Sequence, residues 1–181
     1  MIRAFAAIAL PDEVRAALVL LQHELPVPRV VAPENLHLTL CFLGELNGPT
    51  LEEAHHAFKA IDATPFALSL NGVGVFGGAK PRLVYAGVTE SVPLRRLQAK
   101  IETAARTVGI SVERRRFVPH VTLAYLNPNK VDVPRMEEFV AQGLGFSTPS
   151  FGVDDFRLYE SRLGNGPAIY DELVQYPLAR L

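Results

Sequence analysis

Apolar and polar side chains alternate along residues 36–43, the period of a strand with one face against a core. Phe66, Leu68 and Leu70 alternate with Ala67 and Ser69 in the same way. Further strands are expected over 3–10, 82–88, 118–126, 151–160 and 168–176. Elsewhere the apolar positions recur at helical spacing. Val14, Ala17, Leu18 and Leu21 predict a helix over 11–24, with Pro11 as its first residue and Asp12 and Glu13 at the positive end of its dipole. Leu51, Ala54, Phe58 and Ile61 predict a helix over 50–62. Leu94, Leu97, Ile101 and Val108 predict another over 93–108, stopped by Gly109, and a short helix is expected over 134–142. Gly72 to Gly78 reads as a turn between strands, since its spacing fits neither a phosphate loop nor a dinucleotide fingerprint. Strands and helices alternate without a βαβ rhythm, which favours an antiparallel α+β fold.

Two segments repeat one another. Leu36-His37-Leu38-Thr39-Leu40 and Pro119-His120-Val121-Thr122-Leu123 share histidine, an aliphatic residue, threonine and leucine in the same order. Each closes a half rich in strands and helices, so residues 1–181 are expected to form one domain of two intertwined lobes with approximate twofold symmetry.

Composition narrows the class. Of 181 residues 49% are hydrophobic and 20% charged, which excludes a disordered chain and supplies a sizeable core. The single cysteine, Cys41, excludes an internal disulfide framework. The apolar run from Ala4 to Leu10 is too short to span a membrane and is succeeded by Pro11-Asp12-Glu13 rather than a cleavage site, so a cytoplasmic protein without a membrane partner is expected. A net charge of −1 argues at first against a polyanionic partner. The distribution reverses that: residues 80–116 hold nine basic and three acidic side chains, and this stretch runs directly into the second histidine motif.

In a strand, His37 and Thr39 point to one face while Leu38 and Leu40 point to the other, and the same parity joins His120 to Thr122. Two imidazoles and two hydroxyls around one small volume suit general acid–base chemistry at a phosphodiester. One neutral ring takes a proton from the nucleophile, the other gives one to the leaving oxygen, and the hydroxyls donate to oxygens that hold negative charge. No metal, cofactor or covalent intermediate is required. Cys41 falls on the same face by strict alternation, but a small buried thiol is its expected role. His23, His55 and His56 lack zinc-site spacing and read as surface residues. Phe76 reads as core.

Beyond these motifs the sequence resembles the two-histidine phosphoesterases, in the branch of RNA 2′,3′-cyclic phosphodiesterases and 2′-5′ RNA ligases. The likeness includes Glu34-Asn35-Leu36-His37-Leu38-Thr39-Leu40, Phe42-Leu43-Gly44-Glu45, Gly72-Val73-Gly74-Val75-Phe76, Pro81-Arg82-Leu83-Val84-Tyr85, Phe117-Val118-Pro119-His120-Val121-Thr122-Leu123-Ala124 and Phe156-Arg157-Leu158-Tyr159. The resemblance implies a two-lobed α+β fold, with antiparallel sheets flanking a central groove and helices on the outside. It implies metal-independent hydrolysis of an RNA 2′,3′-cyclic phosphate end to a 2′-phosphate, and ATP-independent 2′-5′ ligation as a related reaction. His37 and His120 are then catalytic, with His120 the base on water and His37 the acid, and Thr39 and Thr122 bind the substrate. The partner is RNA with a cyclic phosphate end or a cyclic nucleotide, and the protein is expected to act as a monomer.

Two positions depart from the family's pattern. Where its second motif commonly continues to an arginine near the phosphate, this chain has Tyr125, and Arg82 and Arg116 are the candidates to supply the missing cation. Where the first motif often carries a basic residue, this chain has Cys41. The alternatives are a non-catalytic RNA- or nucleotide-binding protein and a phosphodiesterase for another small cyclic phosphate.

Overall fold

The computed structural model describes residues 1–179. In chain order the elements are β1 (Ile2–Ala9), α1 (Asp12–His23), β2 (His37–Leu46), α2 (Gly48–Lys59), β3 (Phe66–Leu68), β4 (Leu70–Phe76), β5 (Leu83–Val88), α3 (Val92–Thr107), β6 (His120–Tyr125), α4 (Val133–Gly143), β7 (Phe151–Val153), β8 (Asp155–Arg162) and β9 (Ile169–Pro177). The fold is α+β, with antiparallel sheets and four helices.

Seven strands form one sheet in the order β4-β5-β6-β2-β1-β8-β9, and β3 pairs with β7 in a separate two-stranded sheet. The sequence β1-α1-β2-α2 is repeated as β5-α3-β6-α4, and the sheet places β5-β6 and β2-β1 back to back. The two halves are therefore not separate sheets. They meet at β2 and β6, whose pairing is limited to Leu38 opposite Val121. The motif strands are thus neighbours at the centre of the sheet, each beginning at its histidine.

Helix starts differ from the sequence expectation for a local reason. Asn47, Ser91 and Asp132 cap α2, α3 and α4 by accepting from the backbone N–H of Thr50, Leu94 and Arg135. Two residues after each cap stands a proline, which suits a first helical turn because that turn's N–H groups lack helical partners. The helices begin one or two residues before the hydrophobic spacing does. Pro11 has ψ 155° and precedes α1 rather than opening it. In α3 the buried face is Leu94, Leu97, Ile101 and Ala105, and Val108 is the cap residue. Gly109 then takes φ +82°, the left-handed turn that ends the helix.

The glycine-rich stretch is only partly a turn. Gly72 and Gly74 lie within β4, and the turn proper is Gly77-Gly78, at φ +112° and +56°. A side chain at Gly74 would collide with the Tyr85 ring, so this glycine makes room for that tyrosine.

Both motif strands carry a β-bulge at the same place. Against β1, Ala7 faces Thr39 and Ala6 faces Cys41, so Leu40 is the extra residue. Against β5, Tyr85 faces Thr122 and Val84 faces Ala124, so Leu123 is the extra residue. A bulge inserts one unpaired residue and shifts the alternation by one. The leucine after each threonine is thus the bulge itself, and both are buried.

Candidate active site

The opening of β2 and the opening of β6 face one cavity of about 500 Å³, lined by His37, Thr39, His120 and Thr122. Both imidazoles are held alike. His37 Nδ1 lies 2.6 Å from the carbonyl of Asn35, and His120 Nδ1 lies 2.7 Å from the carbonyl of Val118. A carbonyl only accepts, so each Nδ1 carries the proton and each neutral ring presents a bare Nε2. The partner is in each case the carbonyl two residues upstream, from the 3-10 turn Pro33–Asn35 before β2 and from the irregular segment before β6.

Aromatic rings support the histidines on both sides. Phe5 lies 4.9 Å from the His37 ring, and Tyr170 meets it edge-on at 5.2 Å. Phe76 meets His120 edge-on at 4.9 Å, and Tyr85 lies 5.5 Å away. Phe76 is therefore part of the cavity wall and not core. Tyr85 also stacks on Phe76 at 4.3 Å, which accounts for the space left at Gly74.

The two rings differ in their further partners. Thr39 Oγ1 lies 2.9 Å from His37 Nε2 and donates to it when the ring is neutral. Desolvation by burial holds the His37 pKa below the ordinary imidazole value; the Asn35 carbonyl opposes that shift and the charge of His120 adds to it. His120 is lowered too, again mainly by burial, with the Val118 carbonyl opposing and the Arg115 guanidinium adding.

Beyond each threonine, the bulge determines which side chain reaches the open face. Leu40 and Cys41 are both buried, so Cys41 does not share the open face of His37 and Thr39. That place goes to Phe42, which is 51% exposed, and on β6 to Tyr125, which is 65% exposed. Both line the cavity. Cys41 reaches the cavity wall beside α3, and burial pushes its thiol pKa up to about 12, further raised by Glu102 and opposed by Arg106. It is a thiol and not a nucleophile at neutral pH.

Arg82 and Arg116 both line the cavity, and neither forms an ion pair among the described residues. Arg115 lines it as well, a residue that no motif in the sequence singles out. Three other basic side chains of the stretch are engaged elsewhere. Arg95 pairs with Glu90 at 2.5 Å, Arg106 with Glu102 at 2.7 Å, and Lys100 bonds the carbonyl of Asp62. His55 is also not a plain surface residue: its Nδ1 lies 3.0 Å from the Tyr176 hydroxyl, and its ring is 5.3 Å from that of His56. No three His, Cys, Asp or Glu side chains among the described residues group as metal ligands. No helix among them is long and apolar enough to cross a membrane.

Comparison with known proteins places this geometry. The sequence model of the 2′-5′ RNA ligase superfamily matches residues 10–165. An RNA 2′,3′-cyclic phosphodiesterase of Archaeoglobus fulgidus is 32% identical, the match covering 94% of this chain and 97% of that protein. One of Geobacillus stearothermophilus is 30% identical across 96% of this chain, which spans only 56% of that longer relative. The crystal structure of Escherichia coli LigT complexed with 3′-AMP superposes with a TM-score of 0.84 at 30% identity, covering 99% of both chains. Other structures of LigT are complexes with ATP and NADP+. The chain belongs to the 2′-5′ RNA ligase superfamily, among the RNA 2′,3′-cyclic phosphodiesterases.

Proposed function

We propose that the protein hydrolyses RNA ends bearing a 2′,3′-cyclic phosphate to the 2′-phosphate, by acid–base catalysis between His120 and His37. The observation that carries this reading is the matched pair of imidazoles on one cavity, each with its Nδ1–H tied to a carbonyl so that Nε2 is the reacting atom. The activity of the relatives and the nucleotides held by LigT agree with it. The duplicated strand-helix order gives the expected twofold its basis, with one His-x-Thr strand from each half.

In this mechanism neutral His120 takes a proton from water as the water oxygen bonds to phosphorus. The bond from phosphorus to the 3′-oxygen breaks, and His37, protonated on Nε2, gives that oxygen its proton. The product is a 2′-phosphomonoester with a free 3′-hydroxyl, and solvent returns the two rings to their starting states. Protonating His37 removes the lone pair to which Thr39 donates. The Thr39 hydroxyl proton is then free to turn to a non-bridging oxygen, as Thr122 does from the other strand. Arg82 and Arg116 supply positive charge, and Tyr125 offers one phenolic hydrogen bond where a guanidinium fork is usual in the family. With a 5′-hydroxyl as the nucleophile in place of water, the same P–O3′ bond breaks, the 3′-oxygen takes the proton from His37, and the product is a 2′-5′ linkage made without ATP.

The test is to incubate the protein and EDTA with an oligonucleotide ending in a 2′,3′-cyclic phosphate and identify the product isomer. A 2′-phosphate, lost in both His37→Ala and His120→Ala, is the expected result. A 3′-phosphate overturns the choice of leaving oxygen. Full turnover by both variants overturns the catalytic pair, and absence of turnover in the unaltered protein favours a nucleotide-binding protein.

A further inference from the structure

The cavity extends along β2 as far as Leu40 and Cys41. Cys41 lies four positions along from His37, on the order of 13 Å of strand at ~3.3 Å per residue. Across from this part of β2 stands α3, which contributes Gln98 and Glu102 to the lining. These two are one helical turn apart and are bonded to each other: Gln98 Nε2 donates to Glu102 Oε2 at 2.9 Å. On its other oxygen Glu102 accepts from Arg106, at 2.7 Å from Nη2 and 3.2 Å from Nε. Those bonds from Arg106 and Gln98 hold its carboxyl below the usual range, so it stays ionised.

What this wall offers a ligand is one-sided. The amide nitrogen of Gln98 is turned to Glu102, which leaves its carbonyl oxygen as the free end. The Glu102 oxygens keep further acceptor capacity, since an ionised carboxylate has about four lone-pair sites. Apolar Val31, Leu40 and Val112 make up neighbouring parts of the lining. A flat apolar group fits such a lining, provided its polar edge consists of donors.

We propose that Gln98 and Glu102 form a base subsite that selects guanine on the terminal nucleotide. Guanine carries two adjacent donors, N1–H and N2–H, on its Watson–Crick edge, and together they match a carboxylate. Adenine and cytosine each set an amino donor beside a ring acceptor, and that acceptor would face the carboxylate oxygen. Uracil flanks its single N–H with two carbonyls, which are repelled in the same way. A site built to bond donors rejects an edge that leaves its acceptors opposed, by more than the loss of one contact. The cavity volume of about 500 Å³ is within the range of sites that hold small ligands. This subsite rests on the phosphodiesterase reading for its substrate, although base binding can be measured without turnover.

The test uses two arms. In the first, kcat/KM is measured for the 2′,3′-cyclic phosphates of guanosine, adenosine, cytidine and uridine. The expected result is a preference for guanosine of about ten- to a hundredfold, the discrimination of one bidentate pair. In Glu102→Gln the guanosine-to-adenosine ratio collapses toward one, and in Glu102→Asp, with its carboxylate drawn back by one methylene, it falls to an intermediate value. Thermal melting of each variant shows whether it is folded. In the second arm, calorimetry compares the binding of 2′-GMP and 2′-AMP. Equal kcat/KM for all four bases, or a preference that survives Glu102→Gln, overturns the subsite. If no cyclic phosphate is turned over while 2′-GMP still binds more tightly than 2′-AMP through Glu102, the subsite stands and the phosphodiesterase reading falls.

Discussion

Replacing Gln22 by methionine tests how the active-site strand is anchored. Gln22 lies on α1, is 5% exposed, and its Nε2 donates at 2.9 Å to two carbonyls, those of Val31 and Leu123. Leu123 is the bulge residue of β6, directly after Thr122. Its carbonyl also accepts from the Val31 N–H at 2.8 Å, so it keeps a partner when Gln22 is gone. The Val31 carbonyl loses the bond that Gln22 gives it. Leaving the partly buried Val31 carbonyl unpaired costs up to about 1–3 kcal/mol, and losing the second bond adds roughly 0.5–1.5 kcal/mol. The apolar methionine offsets about 1 kcal/mol by burial. A net loss near 2 kcal/mol corresponds to a fall in Tm of about 4–8 °C for a chain of this length. Scanning calorimetry measures it, and kcat at a temperature where the variant is folded should fall severalfold because Thr122 is less firmly held. Gln22→Glu adds a sign test. Its protonated form has one O–H to give to one of the two carbonyls and its ionised form has none, so its folded pKa is raised above the unfolded value of ~4.3. Its stability is therefore fully present below that value and is lost as pH rises through the folded pKa, measured against the unaltered protein at each pH. A Tm unchanged by Gln22→Met, or a Gln22→Glu deficit independent of pH, refutes the reasoning.

Two further outcomes are expected of the site itself. The kcat/KM profile should be bell-shaped, because His120 must be neutral and His37 charged. Burial lowers both rings, which places the maximum below the ordinary imidazole value of about 6.5. In the kcat profile the alkaline limb should move to higher pH, since a bound phosphate anion favours imidazolium; a flat profile between about pH 5 and 9 contradicts the acid–base pair. Arg82→Ala and Arg116→Ala should each weaken oligonucleotide binding and reduce the slope of log K against log salt by about 0.7, the value for one phosphate contact on a single strand. An unchanged slope in both variants removes these side chains from the backbone contact.

Much of this arrangement was legible in the sequence because two periods dominate it. Alternation located the motif strands, helical spacing located three of the four helices, and repetition of His-x-Thr pointed to a shared site before any geometry. What escaped was local and depended on one residue at a time. Strict alternation assigned Cys41 to the catalytic face, and the bulge at Leu40 gives that place to Phe42. The shared leucine was visible as a repeat, yet nothing in a single chain marks a buried leucine as a bulge. Gln22 interrupts an apolar helix face, and its role depends on a carbonyl 101 residues away. Gly74 resembled its neighbours in a turn, and only the Tyr85 ring beside it explains the missing side chain. The basic stretch likewise divides in the structure: Arg95 and Arg106 are held by Glu90 and Glu102, whereas Arg82, Arg115 and Arg116 line the cavity.

The duplication raises a chemical question, because acid and base must differ while the motifs that supply them are alike. The carbonyl two residues upstream and the bulged leucine are common to both halves, so they fix the reacting nitrogen and the strand's course without distinguishing the rings. The differences lie in what surrounds each motif. His37 sits between Phe5 and Tyr170 with the Thr39 hydroxyl on its Nε2. His120 sits against Phe76 and Tyr85, near the guanidinium of Arg115. A nearby cation disfavours imidazolium and suits a ring that must begin neutral, whereas a hydroxyl on Nε2 can accept from a protonated ring as readily as it donates to a neutral one. These differences agree with the proposed mechanism, in which the base is on β6 and the acid on β2. In that mechanism the symmetric part of the fold brings two imidazoles to one phosphate, and the unsymmetric part distinguishes their roles.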